Sequence, residues 1–151
     1  MRRRRERRPG AKLLGLDLGE RWVGVAITDD TGVLAAPVQV LDLRRVGLDA
    51  IARLAEERGV AGIVVGLPRT MAGEEGFQAR RAREQAAQLA AHTDLPILFW
   101  DERFTTAMAD EIAARRGRRK GGQHDAVAAA ILLQSYIDAH PIRRQRPDEA
   151  E

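Results

Sequence analysis

The spacing of apolar residues changes once along this chain, and that change limits the folds open to it. Three short extended runs come first, at residues 13–18, 22–28 and 33–40, with brief turns between them. Runs this close together predict an antiparallel meander. Pro37 has no amide proton to donate, so the third run is predicted to lie at a sheet edge or in a bulge.

Helical spacing begins at Leu48 and then alternates with two short apolar runs. The pattern predicts helices from 48 to Gly59, at 77–92, from Thr105 or Thr106 to about 116, and at 125–139, with buried strands at 62–66 and 96–100. This order predicts an α/β fold. Its mixed five-stranded sheet would combine the antiparallel three-strand meander with two parallel strands and carry helices on both faces.

The length and composition are those of one globular domain. The chain has 151 residues, within the usual range of about 100–200 per domain. We expect a domain over residues 11–140, a disordered basic tail at 1–10 and a flexible tail at 141–151. The absence of cysteine excludes disulfides, thiolate metal sites and a cysteine nucleophile, and it fits a cytoplasmic location. No apolar run approaches the roughly 18–20 residues that span a membrane, so no membrane partner is expected.

Several common enzyme classes lack their motifs in this chain. Neither the GxxxxGK[ST] loop nor the GxGxxG fingerprint occurs, so nucleotide-triphosphate and dinucleotide binding lose their main support. Ser135 is the sole serine and lies in an apolar helical segment, which disfavours a serine hydrolase.

The basic residues are concentrated at two places. The chain has 25 basic and 22 acidic side chains, and six arginines fall within residues 2–8. A second group forms a loop before the last helix: Arg115, Arg116, Arg118, Arg119 and Lys120. Basic runs of this kind often contact polyanions, so the loop predicts binding to nucleic acid, and the tail is either an arm that binds nucleic acid or one that keeps the protein in solution.

Three carboxylates lie at the ends of apolar elements. Asp17 ends the first strand, Glu102 follows the strand at 96–100, and Asp125 opens the last helix. The alanine-rich residues 126–130 would let that helix lie close to the sheet and bring the three acids together. Converging carboxylates repel one another unless a cation lies among them, and oxygen ligands suit Mg²⁺ or Mn²⁺. Two such ions can activate water for phosphodiester cleavage.

Each carboxylate also has a simpler explanation. Asp17 precedes Gly19 and would serve as a turn residue. Glu102 would pair with Arg103 at the surface, and Asp125 would cap its helix. Their joint occurrence at three ends of one predicted sheet favours a shared site.

Several short motifs resemble the YqgF/RuvX family of RNase H-like nucleases over about residues 13–137. The motifs are Leu16-Asp17-Leu18-Gly19 with Arg21 and Gly24-Val25-Ala26, Gly66-Leu67-Pro68, Gly73 with Gly76, Asp101-Glu102-Arg103-Phe104-Thr105-Thr106, and His124-Asp125 leading into Ala128-Ala129 and Ile131-Leu132. The resemblance implies an RNase H-like fold, a nucleic-acid substrate and dependence on Mg²⁺ or Mn²⁺. It also implies that Asp17, Glu102 and Asp125 are the catalytic, metal-binding acids.

The expected function is that of a metal-dependent endonuclease. Its substrate would be either four-way DNA junctions, in recombination and repair, or the 5′ end of pre-16S rRNA, in ribosome biogenesis. Arg21, Arg69, Arg103 and the basic loop at 115–120 would orient the nucleic-acid backbone. Symmetric cutting of a junction favours a homodimer.

Two other classes of protein compete with this expectation. A nucleic-acid-binding module without catalysis would need only the basic segments. An actin-like sugar kinase also begins with an Asp-x-Gly strand, but this chain is too short for the two lobes of that fold.

Overall fold

The part of the chain that the structure describes, residues 11–70, 72–104 and 123–141 of a computed structural model, contains one five-stranded sheet in the order β3-β2-β1-β4-β5. The strands are β1 Leu13–Leu18, β2 Trp22–Thr28, β3 Ala35–Asp42, β4 Gly62–Leu67 and β5 Ile97–Asp101. The described residues form the helices α1 Leu48–Glu57, α2 Phe77–Ala90 and α3 Gln123–Ala139, and a 3₁₀ turn spans Glu102–Phe104.

The strand directions confirm the predicted topology. β1 pairs antiparallel with β2, and β2 pairs antiparallel with β3, which completes the meander. β4 pairs parallel with both β1 and β5. The carboxyl ends of β1, β4 and β5 therefore meet at one edge of the sheet, which we call the carboxyl edge.

The third strand begins and ends two residues later than the sequence predicts. The carboxylate of Asp29 accepts hydrogen bonds from the amides of Val33 and Leu34, at 3.1 and 3.3 Å, and these bonds hold both residues in the turn. Pro37 lies on the edge strand β3, beside the register shift opposite Val25 and Ala26. Its predicted position is confirmed, because there the missing amide proton breaks no regular pairing.

The sheet has a hydrophobic core on each face. Alternate residues of β1 and β4, such as Leu16 and Val65, pack against Ile51 of α1 and Leu89 of α2. The other face packs against α3, where Leu133 is fully buried. This confirms the prediction of helices on both faces.

Some predictions concern residues outside the described ranges. They are the basic tail at 1–10, the helix after Thr105 or Thr106, the basic loop at 115–120 and the final residues, 142–151. No helix among the described residues is both long and apolar enough to cross a membrane.

Candidate active site

A row of four residues crosses the sheet beneath the start of α3. Asp17 of β1 lies opposite Gly24 of β2, and Gly66 of β4 lies opposite Trp100 of β5. Leu16 pairs with Val65 in the parallel ladder, so one further step places Asp17 beside Gly66. Because directly paired residues point to the same face, the row runs Gly24, Asp17, Gly66, Trp100 on the face that carries α3. Asp17 therefore has a glycine on either side.

Gly24 makes room for the start of α3. A Cβ atom on Gly24 would overlap the backbone carbonyl of Asp125. The helix therefore lies on the bare backbone of β2, which brings the Asp125 main chain above the strand paired with Asp17. Glycine within a strand often marks such a close approach of another backbone. Gly15 has the same role in β1, since a Cβ there would lie 2.8 Å from Cβ of Leu133.

Gly66 makes room for Glu102 on the other side of Asp17. A Cβ on Gly66 would lie 2.5 Å from Oε1 of Glu102, so this carboxylate occupies the space above β4 that a side chain would fill. Glu102 directly follows β5, and its side chain reaches back over the neighbouring strand. Its carboxylate thus lies one strand spacing, about 4.8 Å, from the strand of Asp17.

The position of Glu102 changes its acidity. Burial, the negative charge of Asp17 and that of Asp101 raise the pKa of the Glu102 carboxyl from 4.5 to about 7. Burial is the largest cause, because a carboxylate loses hydration beneath α3. Glu102 is therefore not the exposed partner of Arg103 that the simpler explanation supposed.

A divalent cation would suit the chemistry of this site. Two carboxylates that disfavour each other's ionisation gain from a positive charge between them, and hard cations prefer oxygen ligands. Within residues 11–70, 72–104 and 123–141, however, no three His, Asp or Glu side chains form a group placed to hold a metal ion. Asp17 and Glu102 are brought together, while Asp125 as a third ligand stays a prediction.

Arg21 lies in the turn between β1 and β2 and pairs with Asp42. Its Nε and Nη2 atoms donate to the two oxygens of Asp42, each at 3.1 Å, and its guanidinium lies 4.5 Å from the ring centre of Trp22. The bonds to Asp42 raise the pKa of Arg21. The pair ties the turn after β1 to the end of β3, which gives Arg21 a structural partner, while its contact with substrate stays a prediction.

Arg69 and Arg103, by contrast, meet at the carboxyl edge. Arg103 donates from Nη2 to Oδ2 of Asp101 at 2.7 Å, and Nε of Arg69 lies 4.0 Å from the same oxygen. The hydrogen bonds from Arg103 lower the pKa of the Asp101 carboxyl. The other predicted substrate-binding residues, Arg115, Arg116, Arg118, Arg119 and Lys120, lie outside the described residues.

Sequence reasoning missed two features of the site. It attributed the close approach of the last helix to the alanines of that helix, whereas Gly15, Gly24 and Gly66 supply the matching space in the sheet. Glycines inside three apolar strands were the available signal. It also gave no role to Asp101, and nothing in the local pattern indicates which arginines this aspartate would contact.

Sequence comparisons place the chain among nucleic-acid enzymes. A family model described as "RuvX: Holliday junction resolvase" matches residues 11–139. A protein of Ruegeria pomeroyi is 42% identical over 135 residues, covering 86% of this chain and 88% of its own length. One from Rhodospirillum rubrum is 41% identical over 148 residues, covering 94% and 91%. Both carry the name "Putative pre-16S rRNA nuclease".

Comparisons of structure agree on the fold. Thermus thermophilus RuvC, solved in complex with a Holliday junction substrate, aligns with a TM-score of 0.56 at 16% identity, covering 85% of this chain and 96% of that one. The fowlpox virus Holliday junction resolvase aligns with a TM-score of 0.51 at 12% identity, covering 85% and 99%. At these identities the likeness shows an RNase H-like fold. The family match over residues 11–139 and the two relatives above 40% identity show that this chain belongs to the RuvX family.

Proposed function

We propose that the protein is a cytoplasmic, divalent-metal-dependent endonuclease that hydrolyses phosphodiester bonds in structured nucleic acid. The observation that carries this proposal is the Glu102 carboxylate, which is partly buried over Gly66 beside Asp17. Two acids held together at the end of parallel strands destabilise each other, and a purely structural role would not require them. Family membership supports the same activity.

Mg²⁺ or Mn²⁺ bound here would stabilise the charge that develops on the attacking and leaving oxygens of the phosphodiester. Asp17 and Glu102 would hold the ions, and Asp125 would complete the ligand set from the start of α3. The glycines on both sides of Asp17 keep the site open to carboxylate oxygens rather than filling it with side chains. Burial beneath α3 limits the water around Glu102, which strengthens its attraction to a cation.

The test compares the wild type with Asp17→Asn at low salt, with Mg²⁺ and with Mn²⁺. Each protein is incubated with a four-way DNA junction and, separately, with a 5′-extended 16S rRNA fragment, and binding is scored apart from cutting. We expect the variant to bind while its cutting falls by about 100-fold or more, because the transition-state charge loses its support. Asp30→Asn, at the exposed turn after β2, is the matched control.

The outcomes separate the candidate functions. Binding without cutting by the wild type, on both substrates and with both metals, would contradict the nuclease and leave a binding module. Equal cutting by wild type and Asp17→Asn would contradict the assignment of the site. An equal loss of cutting in Asp17→Asn and Asp30→Asn would show that the loss is not specific to Asp17, and it would also contradict the assignment of the site.

The substrate follows from the relative rates and from the oligomeric state. Four-way junctions require two symmetric cuts, which a homodimer with two-fold symmetry supplies. Precursor rRNA requires one cut, which a monomer can make. Faster cutting of the junction by a dimer would assign the protein to recombination and repair, and faster cutting of the rRNA fragment would assign it to ribosome biogenesis.

A further inference from the structure

Asp101 is the centre of a compact cluster of charged side chains at the carboxyl edge. Its Oδ1 accepts from the backbone amide of Arg103 at 2.9 Å, and its Oδ2 accepts from Nε and Nη2 of Arg103 at 2.9 and 2.7 Å. Nε of Arg69 lies 4.0 Å from Oδ2. The Asp101 side chain is 10% exposed, whereas Arg69 and Arg103 are 35% and 33% exposed. A largely buried carboxylate therefore accepts hydrogen bonds from Arg103 and lies within ion-pair distance of Arg69.

The cluster lies on the opposite face of the sheet from Glu102. Ile97 packs into the core under α1 and α2, and Phe99 lies beneath Arg83 of α2. Because side chains alternate along a strand, Asp101 continues that face. Glu102, next in the chain, points to the α3 face over Gly66. The carboxylate site and the arginine cluster thus flank the carboxyl edge, one residue apart.

A tight turn in the loop after β4 lies against Arg103. Gly73 adopts a positive φ of 86°, and a Cβ there would lie 3.2 Å from Nη1 of Arg103. The amide of Gly73 donates to the carbonyl of Thr70 at 2.8 Å, and the Thr70 amide donates to the carbonyl of Glu74 at 2.9 Å. These hydrogen bonds fix the shape of the loop that carries Arg69 and contacts Arg103. The backbone of this loop therefore helps to position both arginines.

The charges in this cluster do not cancel. Two guanidinium groups face the one carboxylate of Asp101, which leaves a net positive charge on the cluster itself. Asp101 takes up two of the five N–H groups of Arg103. Nη1 of Arg103 lies against Gly73, and 33% of the Arg103 side chain is exposed to solvent. A planar guanidinium held in this way can bind a phosphate oxygen in a defined direction.

We propose that Asp101 is a positioning residue that aligns Arg103 and Arg69 to bind a backbone phosphate flanking the bond that is cut. The nucleic-acid strand would cross the carboxyl edge, with the reacting phosphate at Glu102 and a neighbouring phosphate on the arginines. The predicted effect on cutting rests on the proposed nuclease function. The predicted effect on nucleic-acid binding does not, because it depends only on the attraction between the arginines and phosphate.

If Asp101 only formed a surface ion pair, its mutation would affect binding and kcat differently than it would if Asp101 positioned the arginines. Asp101→Asn removes a negative charge, so on charge alone the variant binds nucleic acid as tightly as the wild type or more tightly. A positioning role predicts that binding is kept while kcat falls, because the freed arginines no longer hold the strand in register. Misplacement of a substrate by about 1 Å costs up to about 100-fold in rate. We expect kcat to fall at least about tenfold.

The experiment measures kcat by multiple-turnover cutting in Mg²⁺ with saturating substrate, and binding in EDTA as a function of salt. Arg103→Gln should reduce the slope of log binding constant against log salt by about 0.7–0.9, the value for one phosphate contact. Arg103→Lys keeps the charge but loses the planar fork, so it should retain the slope and lose kcat. Lys12→Gln and Asp30→Asn are the matched controls, because Lys12 and Asp30 pair at 2.8 Å at the opposite end of the sheet.

The two proposals fail separately. An unchanged kcat in Asp101→Asn, relative to Asp30→Asn, would overturn the positioning role. If the wild type cuts nothing, the nuclease proposal fails, and the salt slopes alone decide the arginine site. A smaller slope for Arg103→Gln than for Lys12→Gln would support that site, and equal slopes would overturn it.

Discussion

Removing the charge of Glu102 should stabilise the metal-free protein at alkaline pH. The pKa of this carboxyl is raised to about 7 from an ordinary 4.5, and each pKa unit corresponds to about 1.4 kcal/mol. Below pH 4.5 the carboxyl is protonated in both the folded and the unfolded state. Between pH 4.5 and 7 the folded state keeps a proton that the unfolded state has lost, so the free energy of unfolding falls as pH rises. By pH 8 the loss reaches about 3 kcal/mol.

The assay is urea unfolding in EDTA at pH 4.5, 6 and 8, followed by circular dichroism. We expect Glu102→Gln to match the wild type at pH 4.5 and to exceed its free energy of unfolding by about 3 kcal/mol at pH 8. Glu57→Gln, on the exposed end of α1, controls for the loss of a surface carboxylate. Saturating Mg²⁺ should restore the wild type at pH 8 and leave Glu102→Gln less affected, because a ligand that binds only the folded state stabilises it.

A constant difference between Glu102→Gln and the wild type across this pH range would refute the reasoning, since the effect must follow the proton. A variant that is less stable than the wild type at pH 8 would refute it more strongly. That result would mean that the ionised carboxylate is stabilised where it lies, for example by hydrogen bonds that outweigh its burial.

The remaining predictions concern the packing of α3. Gly24→Ala should lower the free energy of unfolding in urea by about 1–3 kcal/mol, because the new methyl overlaps the helix backbone. Its control is Gly76→Ala, where a Cβ meets nothing within 4 Å. The control should lower the free energy of unfolding by less than about 1 kcal/mol. Gly66→Ala should displace the Glu102 carboxylate and lower kcat at least about tenfold while nucleic-acid binding stays constant; unchanged cutting would contradict the placement of Glu102. Gln134→Ala removes bonds of 2.8 and 3.0 Å to the β2–β3 turn, so it should cost about 1–3 kcal/mol and speed amide exchange at residues 33–35, and unaltered exchange would contradict the role of this amide.

The order of strands and helices was predictable because it depends on local patterns. A short window of sequence over each element is enough to show the alternation of apolar residues in β1 and β2 and the helical spacing in α1 and α2. Boundaries were less predictable. β3 starts at Ala35 because the Asp29 carboxylate binds the amides of Val33 and Leu34, a contact that hydropathy does not record.

The arginines also show the difference between what the sequence predicts and what long-range contacts decide. The expected nuclease function gave Arg21, Arg69 and Arg103 the same predicted role in binding the nucleic-acid backbone. The structure separates them, because Arg21 pairs with Asp42 at the end of β3, whereas Arg69 and Arg103 share Asp101. Asp42 follows Arg21 by 21 residues, and pairing over that distance depends on the register of β2 with β3.

The sequence by itself determined the class of the fold and the acids at its element ends. Asp17 and Glu102 were identifiable because each one ends or follows a short apolar run, and the ends of parallel strands meet at one edge. Tertiary structure decided how close these acids come. The row Gly24, Asp17, Gly66 exists only once β2, β1 and β4 are paired in register. Only that row lets α3 and the Glu102 carboxylate approach Asp17 from its two sides, because a glycine leaves space that any side chain would fill.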